Sequence, residues 1–173
     1  INGADVTITY KTQFMLALNI KKEVLANSGK IKLIKLDVLD KNDLKKISQK
    51  YDQIYYFATP KIISNLRKQK SSDLLKEYNL FYVQIFKKIV EKHIRLNKNI
   101  KFFYPSTIYI EEKNKKFREY WIAKKEGEKL CHMFNKNIKG LIISLRLPPL
   151  DTDQNLSIIP MQLNNTFEYA RKI

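Results

Sequence analysis

The sequence predicts an α/β protein: a doubly wound parallel sheet in three layers, α/β/α. Three observations carry that prediction. Segments with strand character alternate with segments of helical spacing along the chain, a pattern that implies right-handed crossovers and a parallel sheet covered on both faces. The aromatic runs "YYF" (Tyr55 to Phe57) and "FFY" (Phe102 to Tyr104) suit strands buried between two helical layers. At 173 residues the chain suits one domain, 1–173, large enough for a real core.

The elements follow in order. "ADVTITY" (Ala4 to Tyr10) alternates and is rich in β-branched residues, so it reads as a strand. "QFMLALNIKKEVLANSG" has helical spacing and stops at Asn27-Ser28-Gly29. "IKLIKLDVLD" (Ile31 to Asp40) is the next strand, and "KNDLKKISQKY" a short helix capped by Asn42 or Asp40. "QIYYFATP" (Gln53 to Pro60) is a third strand closed by proline. A loop or short helix leads into one long helix, about Ser72 to Leu96, with apolar positions three and four apart. "NIKFFYPSTIYI" is a strand that turns into a loop after Ser106, "FREYWIAKKEGEKLCHMFNKN" a helix, and "KGLIISLRLPPL" the last strand. The remainder reads as irregular or weakly helical.

Composition narrows the setting. One cysteine, Cys131, excludes an internal disulfide framework and points to a reducing, cytoplasmic compartment. No run of about 18 apolar residues exists to span a membrane, and the N-terminus lacks the pattern of a signal peptide. The net charge of +16 comes mostly from lysines spread end to end. That reads as solvated faces more than a nucleic-acid surface, so no nucleic-acid partner is expected, and it favours anionic ligands. His93, His132 and Cys131 have no metal-ligand spacing, so no metal is expected.

In an open parallel sheet, ligands sit outside the carboxyl ends of the strands. The residues there are Lys11 and Thr12, Asp37 and Val38, Ala58 to Pro60, Ser106 and Thr107, and Pro148 to Thr152. Tyr120 and Lys124 stand four apart, hence one turn apart on one helix face. An ammonium so near a phenol favours the phenolate and lowers its pKa, which would tune an acid/base. The same spacing also occurs on surface helices with no chemistry.

From about Gly3 to Thr152 the order and spacing resemble the short-chain dehydrogenase/reductase family. "NGADVTITYKT" looks like its second strand and "LDVLD" like its third. "YNLF" looks like the place of a functional Asn, "FFYPST" like the strand ending in the catalytic Ser, and "YWIAKKEGE" like the YxxxK helix. The resemblance implies a Rossmann-type sheet binding NAD(H) or NADP(H), and reduction of a carbonyl or oxidation of an alcohol. It implies Tyr120 as acid/base tuned by Lys124, which also holds the nicotinamide ribose, Ser106 as oxyanion stabiliser, and Asn79 holding a water. Cofactor contacts would come from Lys11, Thr12, Asp37, Val38, Ala58, Thr59, Lys124, Pro148 and Thr152. Lys11 and Thr12, with no acid nearby, favour NADP(H) over NAD(H).

The departures are specific. The family's first strand and glycine-rich turn have no counterpart, and would precede Ile1. The first βα unit is therefore expected to be missing from this sequence. The chain is then part of a longer polypeptide, a protein whose gap another segment or copy fills, or a degenerate relative. "FATP" and "LPPLDT" stand where glycine-containing turns are usual. Tyr120 follows Ser106 by 14 positions and Thr107 by 13, which leaves Thr107 a rival for the hydroxyl role. The competing functions are a cofactor-less scaffold or binding domain on the same fold, and a basic nucleic-acid-binding module.

Overall fold

A computed structural model describes residues 3–63 and 71–149. The chain divides into two compact units, Ile1–Gln49 and Lys50–Ile173.

The first unit is a βαβ piece. Strand β1 (Asp5–Tyr10) pairs in parallel with β2 (Lys30–Lys35), from Asp5 opposite Lys30 to Tyr10 opposite Lys35. Helix α1 (Phe14–Ala26) joins them. It ends at the expected place, where Asn27 N–H bonds Glu23 O and Gly29 N–H bonds Val24 O. The left-handed residue of that stop is Ser28, with φ 58°, rather than Gly29. The expected strand Ile31 to Asp40 is shorter. After Lys35 the chain turns, with Asp40 N–H bonded to Asp37 O. Of the two candidate caps for helix α2 (Lys41–Lys45), Asp40 is the cap, its carboxylate accepting from Asn42 N–H at 2.7 Å.

The second unit holds a three-stranded parallel sheet in the order β3-β4-β5. These are Gln53–Tyr55, Lys101–Thr107 and Ile142–Leu147. Central β4 faces Tyr55 with Phe103 on one side, and pairs Ser106 with Arg146 and Thr107 with Leu147 on the other. The expected long helix is real but has an inner break. Helix α3 (Ser71–Asn79) passes into a π-helical stretch, Leu80–Ile85, and continues as α4 (Phe86–Leu96). Single π turns inside α-helices occur frequently at functional sites. A short helix α5 (Tyr109–Glu112) follows β4, and α6 (Arg118–Asn137) leads to β5.

The core of this unit is aromatic. Phe86 meets Tyr104 at 4.7 Å, Tyr56 at 5.0 Å and Phe102 at 6.3 Å between ring centroids. Helix α6 comes so close to β4 that a Cβ on Gly127 would lie 1.9 Å from Tyr104 Oη. That contact explains a glycine in mid-helix, where it costs about 1 kcal/mol relative to alanine. The aromatic runs were expected wholly inside. Tyr56, Phe102, Phe103 and Tyr104 are buried, but Tyr55 and Phe57 are 53% and 62% exposed. Successive strand side chains point to opposite faces, and these two rings lie against Phe103, at 5.7 and 6.0 Å, away from the Phe86 cluster.

The α/β class and all-parallel pairing match the expectation from sequence.

Candidate active site

The site residues of the second unit gather where β4 ends against α6. Tyr120 lies in the first turn of α6 and is half-buried. The rings of Tyr78, Tyr82 and Tyr109 pack edge-on around it, at 5.9, 5.7 and 6.5 Å. The Thr107 hydroxyl lies beside its phenol. Burial pushes the phenol above its ordinary pKa, and the neighbouring Thr107 hydroxyl offsets part of that rise. The sequence suggested that Lys124 would tune this phenol downward. In the structure desolvation wins, because the Lys124 ammonium lies 5.9 Å from the Tyr120 ring centroid and faces other groups.

Lys124 is buried, at 6% exposure. Its Nζ donates to the Pro105 carbonyl at 2.6 Å and sits over the rings of Tyr82, 4.0 Å from the centroid, and Tyr104, at 5.0 Å. Burial disfavours the ammonium and lowers its pKa to about 7. Cys131, on the same helix, opposes this slightly, while burial pushes its own thiol up to about 12.

Ser106 and Thr107 part company. Ser106 Oγ donates to Glu128 Oε1 at 2.6 Å. Glu128 in turn takes two bonds from Arg146, at 2.8 and 2.7 Å, and Arg146 reaches Glu111 at 2.9 Å. Burial alone would raise the Glu128 carboxyl, but the bonds from Arg146 and Ser106 outweigh it and hold the group low. Ser106 is thus tied into a structural clamp across β4, β5, α5 and α6. Thr107 Oγ1 accepts from Tyr109 N–H at 3.3 Å and lies beside the Tyr120 phenol.

Asn79 closes α3 just before the π-helical stretch, between Tyr78 and Tyr82 in sequence. Its Oδ1 is buried with no hydrogen-bond partner, so the amide has an acceptor to spare. Thr59 follows β3, and its hydroxyl bonds Tyr82 Oη and the Pro60 carbonyl. Ala58 is half-buried beside it, and Pro148 is half-buried just past β5. Thr152 lies outside the described residues.

In the first unit, the ends of β1 and β2 carry Lys11, Thr12, Asp37 and Val38. Lys11 Nζ pairs with Asp37 Oδ2 at 2.7 Å, and Asp37 Oδ1 accepts from Leu39 N–H at 3.0 Å. The Lys11 bond, with the backbone bond behind it, holds the Asp37 carboxyl below its usual range. Thr12 is exposed and Val38 half-buried, in the turn before α2.

Tyr82 and the Glu128–Arg146 clamp went unread in the sequence. The one legible signal was the four-residue spacing of Tyr78 and Tyr82, which puts both rings on one helix face. Among the described residues no helix is long and apolar enough to cross a membrane, and no three His, Cys, Asp or Glu side chains gather as a metal site.

No protein-family model matches this sequence, and no curated protein does. Solved structures do match. The chain is similar to angucycline C-6 ketoreductase LanV with bound NADP, at TM-score 0.77 and 14% identity, over 91% of this chain and 68% of that one. The fold is that of the short-chain dehydrogenase/reductases. A dehydrogenase/reductase of this type from Mycobacterium ulcerans gives TM-score 0.70 and 16% identity, with 87% of this chain covering 60% of that one. Acetoin dehydrogenase YohF from Salmonella typhimurium gives 0.71 and 13%, with 88% covering 68%. The chain thus spans 60% to 68% of the length of these short-chain dehydrogenase/reductase structures. At these identities the likeness is one of fold.

Proposed function

We propose that this protein is an NADP(H)-dependent oxidoreductase of the short-chain dehydrogenase/reductase type, reducing a carbonyl or oxidising an alcohol. The observation that carries the reading is the buried Lys124 one turn along α6 from Tyr120, with the Thr107 hydroxyl beside the phenol. A phenol held above its ordinary pKa stays protonated at neutral pH, as a proton donor to a carbonyl oxygen must be.

The residues present fit the nicotinamide half of such a cofactor. Lys124 supplies an ammonium near the phenol, and Asn79 Oδ1 is a spare buried acceptor suited to a water. Lys11, 60% exposed at the end of β1 and paired there with Asp37, against the sequence expectation of no acid nearby, would have to exchange that carboxylate for a ribose 2′-phosphate in binding NADP(H) rather than NAD(H). The bound cofactor would supply the hydride. In reduction Tyr120 Oη gives its proton to the substrate oxygen. Thr107 donates a second hydrogen bond to that oxygen as negative charge develops there. A water donating to Asn79 Oδ1, together with Lys124, would return the proton to the phenol. Ser106, held by Glu128, keeps the end of β4 in place. Related structures have been solved with NADP, one with rabelomycin as well, and a small carbonyl or alcohol is the proposed substrate class.

A second reading, a scaffold without cofactor, draws on Lys124 already bonded to Pro105 O. Titration with NADPH and NADH, followed by the fluorescence of Trp121, separates the two. The indole donates to Asn114 O at 3.0 Å, next to Tyr120. Saturable binding is expected, tighter for NADPH and lost in Lys124→Ala. No binding of either nucleotide would leave the scaffold reading standing.

A further inference from the structure

We propose that Tyr82 is a positioning residue for this site: its ring face holds the Lys124 side chain while the ring packs near-perpendicular to Tyr120, so one aromatic residue sets where the lysine sits and whether it keeps its proton. The proposal rests on the reading of Lys124 as part of the acid/base site.

The geometry is that of a cation–π contact. Lys124 Nζ lies 4.0 Å from the Tyr82 centroid, well inside the roughly 6 Å over which such contacts act. Tyr82 is wholly buried, so no water screens the pair. The ring cannot swing away. Its Oη is bonded to Thr59 Oγ1, its carbonyl accepts from Tyr104 Oη at 3.1 Å, and Tyr78 stacks on it at 6.0 Å.

Lys124 needs this help. An ammonium has three donors, and Pro105 O takes one. None of the ion pairs among the described residues includes Lys124. The groups facing it are the Pro105 carbonyl and Tyr104 ring from β4, Tyr82 from the π-helical stretch, and Tyr120 and Cys131 from its own helix. Burial favours loss of the proton, and the Tyr82 quadrupole is the closest ring face that opposes it. The π-helical stretch has a use in this light: it sets the turn on which Tyr82 reaches the lysine.

The test replaces Tyr82 with phenylalanine, 3,5-difluorophenylalanine and 3,4,5-trifluorophenylalanine by site-specific incorporation. Fluorine drains the ring face of negative charge while nearly preserving its size. The Lys124 13Cε resonance, assigned by its absence in Lys124→Arg, is titrated in each protein. Phenylalanine is expected to leave the midpoint within a few tenths of a unit. The fluorinated rings are expected to lower it stepwise, by about one unit at three fluorines.

An unchanged midpoint across the series overturns the proposal. So does a shift already complete in Tyr82→Phe, which would assign the effect to the hydroxyl and its bond to Thr59. NADPH titration of the same proteins keeps the two ideas apart. Stepwise lysine shifts in a protein that binds no NADPH would sink the cofactor reading and leave the Tyr82–Lys124 coupling intact.

Discussion

The carboxyl ends of β1 and β2 in the first unit and the end of β4 in the second both present polar side chains, under opposite conditions. Lys11 and Asp37 meet in water, with side chains 60% and 29% exposed. Ser106, Thr107 and Lys124 are all nearly sealed, and each has a specific partner: Glu128, the Tyr109 N–H and the Pro105 carbonyl. An exposed ion pair contributes little because water and salt replace it. A sealed hydroxyl or ammonium is costly to leave unpaired, so its geometry is fixed by everything around it. Chemistry that depends on ångström-scale placement belongs at the end of β4. The end of β1 suits a ligand group that exchanges with water.

The hardest test of that contrast is Gly127→Ala. A methyl would come within 1.9 Å of Tyr104 Oη and 3.1 Å of the Tyr82 carbonyl, in a region with no slack. Urea denaturation is expected to register a loss of about 3 kcal/mol, the upper end of ordinary overpacking. A loss under about 0.5 kcal/mol would mean that the sealed region yields as freely as a surface.

Acid is the next test. His93 on α4 is fully buried, neither ring nitrogen has a hydrogen-bond partner, and burial lowers its pKa from 6.5 to about 4. The folded imidazole stays neutral while the unfolded one takes a proton near 6.5. Stability is therefore full above that pH and falls as pH drops from about 6.5 to about 4. The expected loss is up to about 3 kcal/mol. Denaturation midpoints measured across this window should slope in the parent protein and flatten in His93→Leu.

The smallest effect belongs to the exposed pair. Lys11→Met is expected to change stability by less than about 0.5 kcal/mol, and the change should vanish in high salt. A larger, salt-resistant loss would remove the distinction between the two strand ends.

The sequence made these two regions legible to different depths. Alternation along the chain gave the elements and the parallel pairing, and Asp40 was readable as a cap because its side chain acts on the backbone two residues away. Tyr120 and Lys124 were readable because helical spacing fixes their common face. The choice between Ser106 and Thr107 was not readable. Adjacent strand residues face opposite ways, so counting residues to Tyr120 cannot say which hydroxyl reaches it. In the structure Glu128, held by Arg146 and distant in sequence, takes the Ser106 hydroxyl. The exposure of Tyr55 and Phe57 was missed for a related reason. A run of three aromatics looks buried, yet strand alternation sends Tyr56 inward and its neighbours outward.

The most direct test of the site is the rate of NADPH-dependent carbonyl reduction in Thr107→Ala beside Ser106→Ala, each checked for folding by its denaturation midpoint. Thr107→Ala is expected to fall roughly 100-fold or more, the usual consequence of removing one oxyanion donor. Ser106→Ala, which loosens only the clamp to Glu128, should stay within about fivefold of the parent, roughly one net hydrogen bond. The reverse order, with Ser106→Ala inactive and Thr107→Ala near the parent rate, would contradict the assignment of Thr107 as the hydroxyl that works with Tyr120.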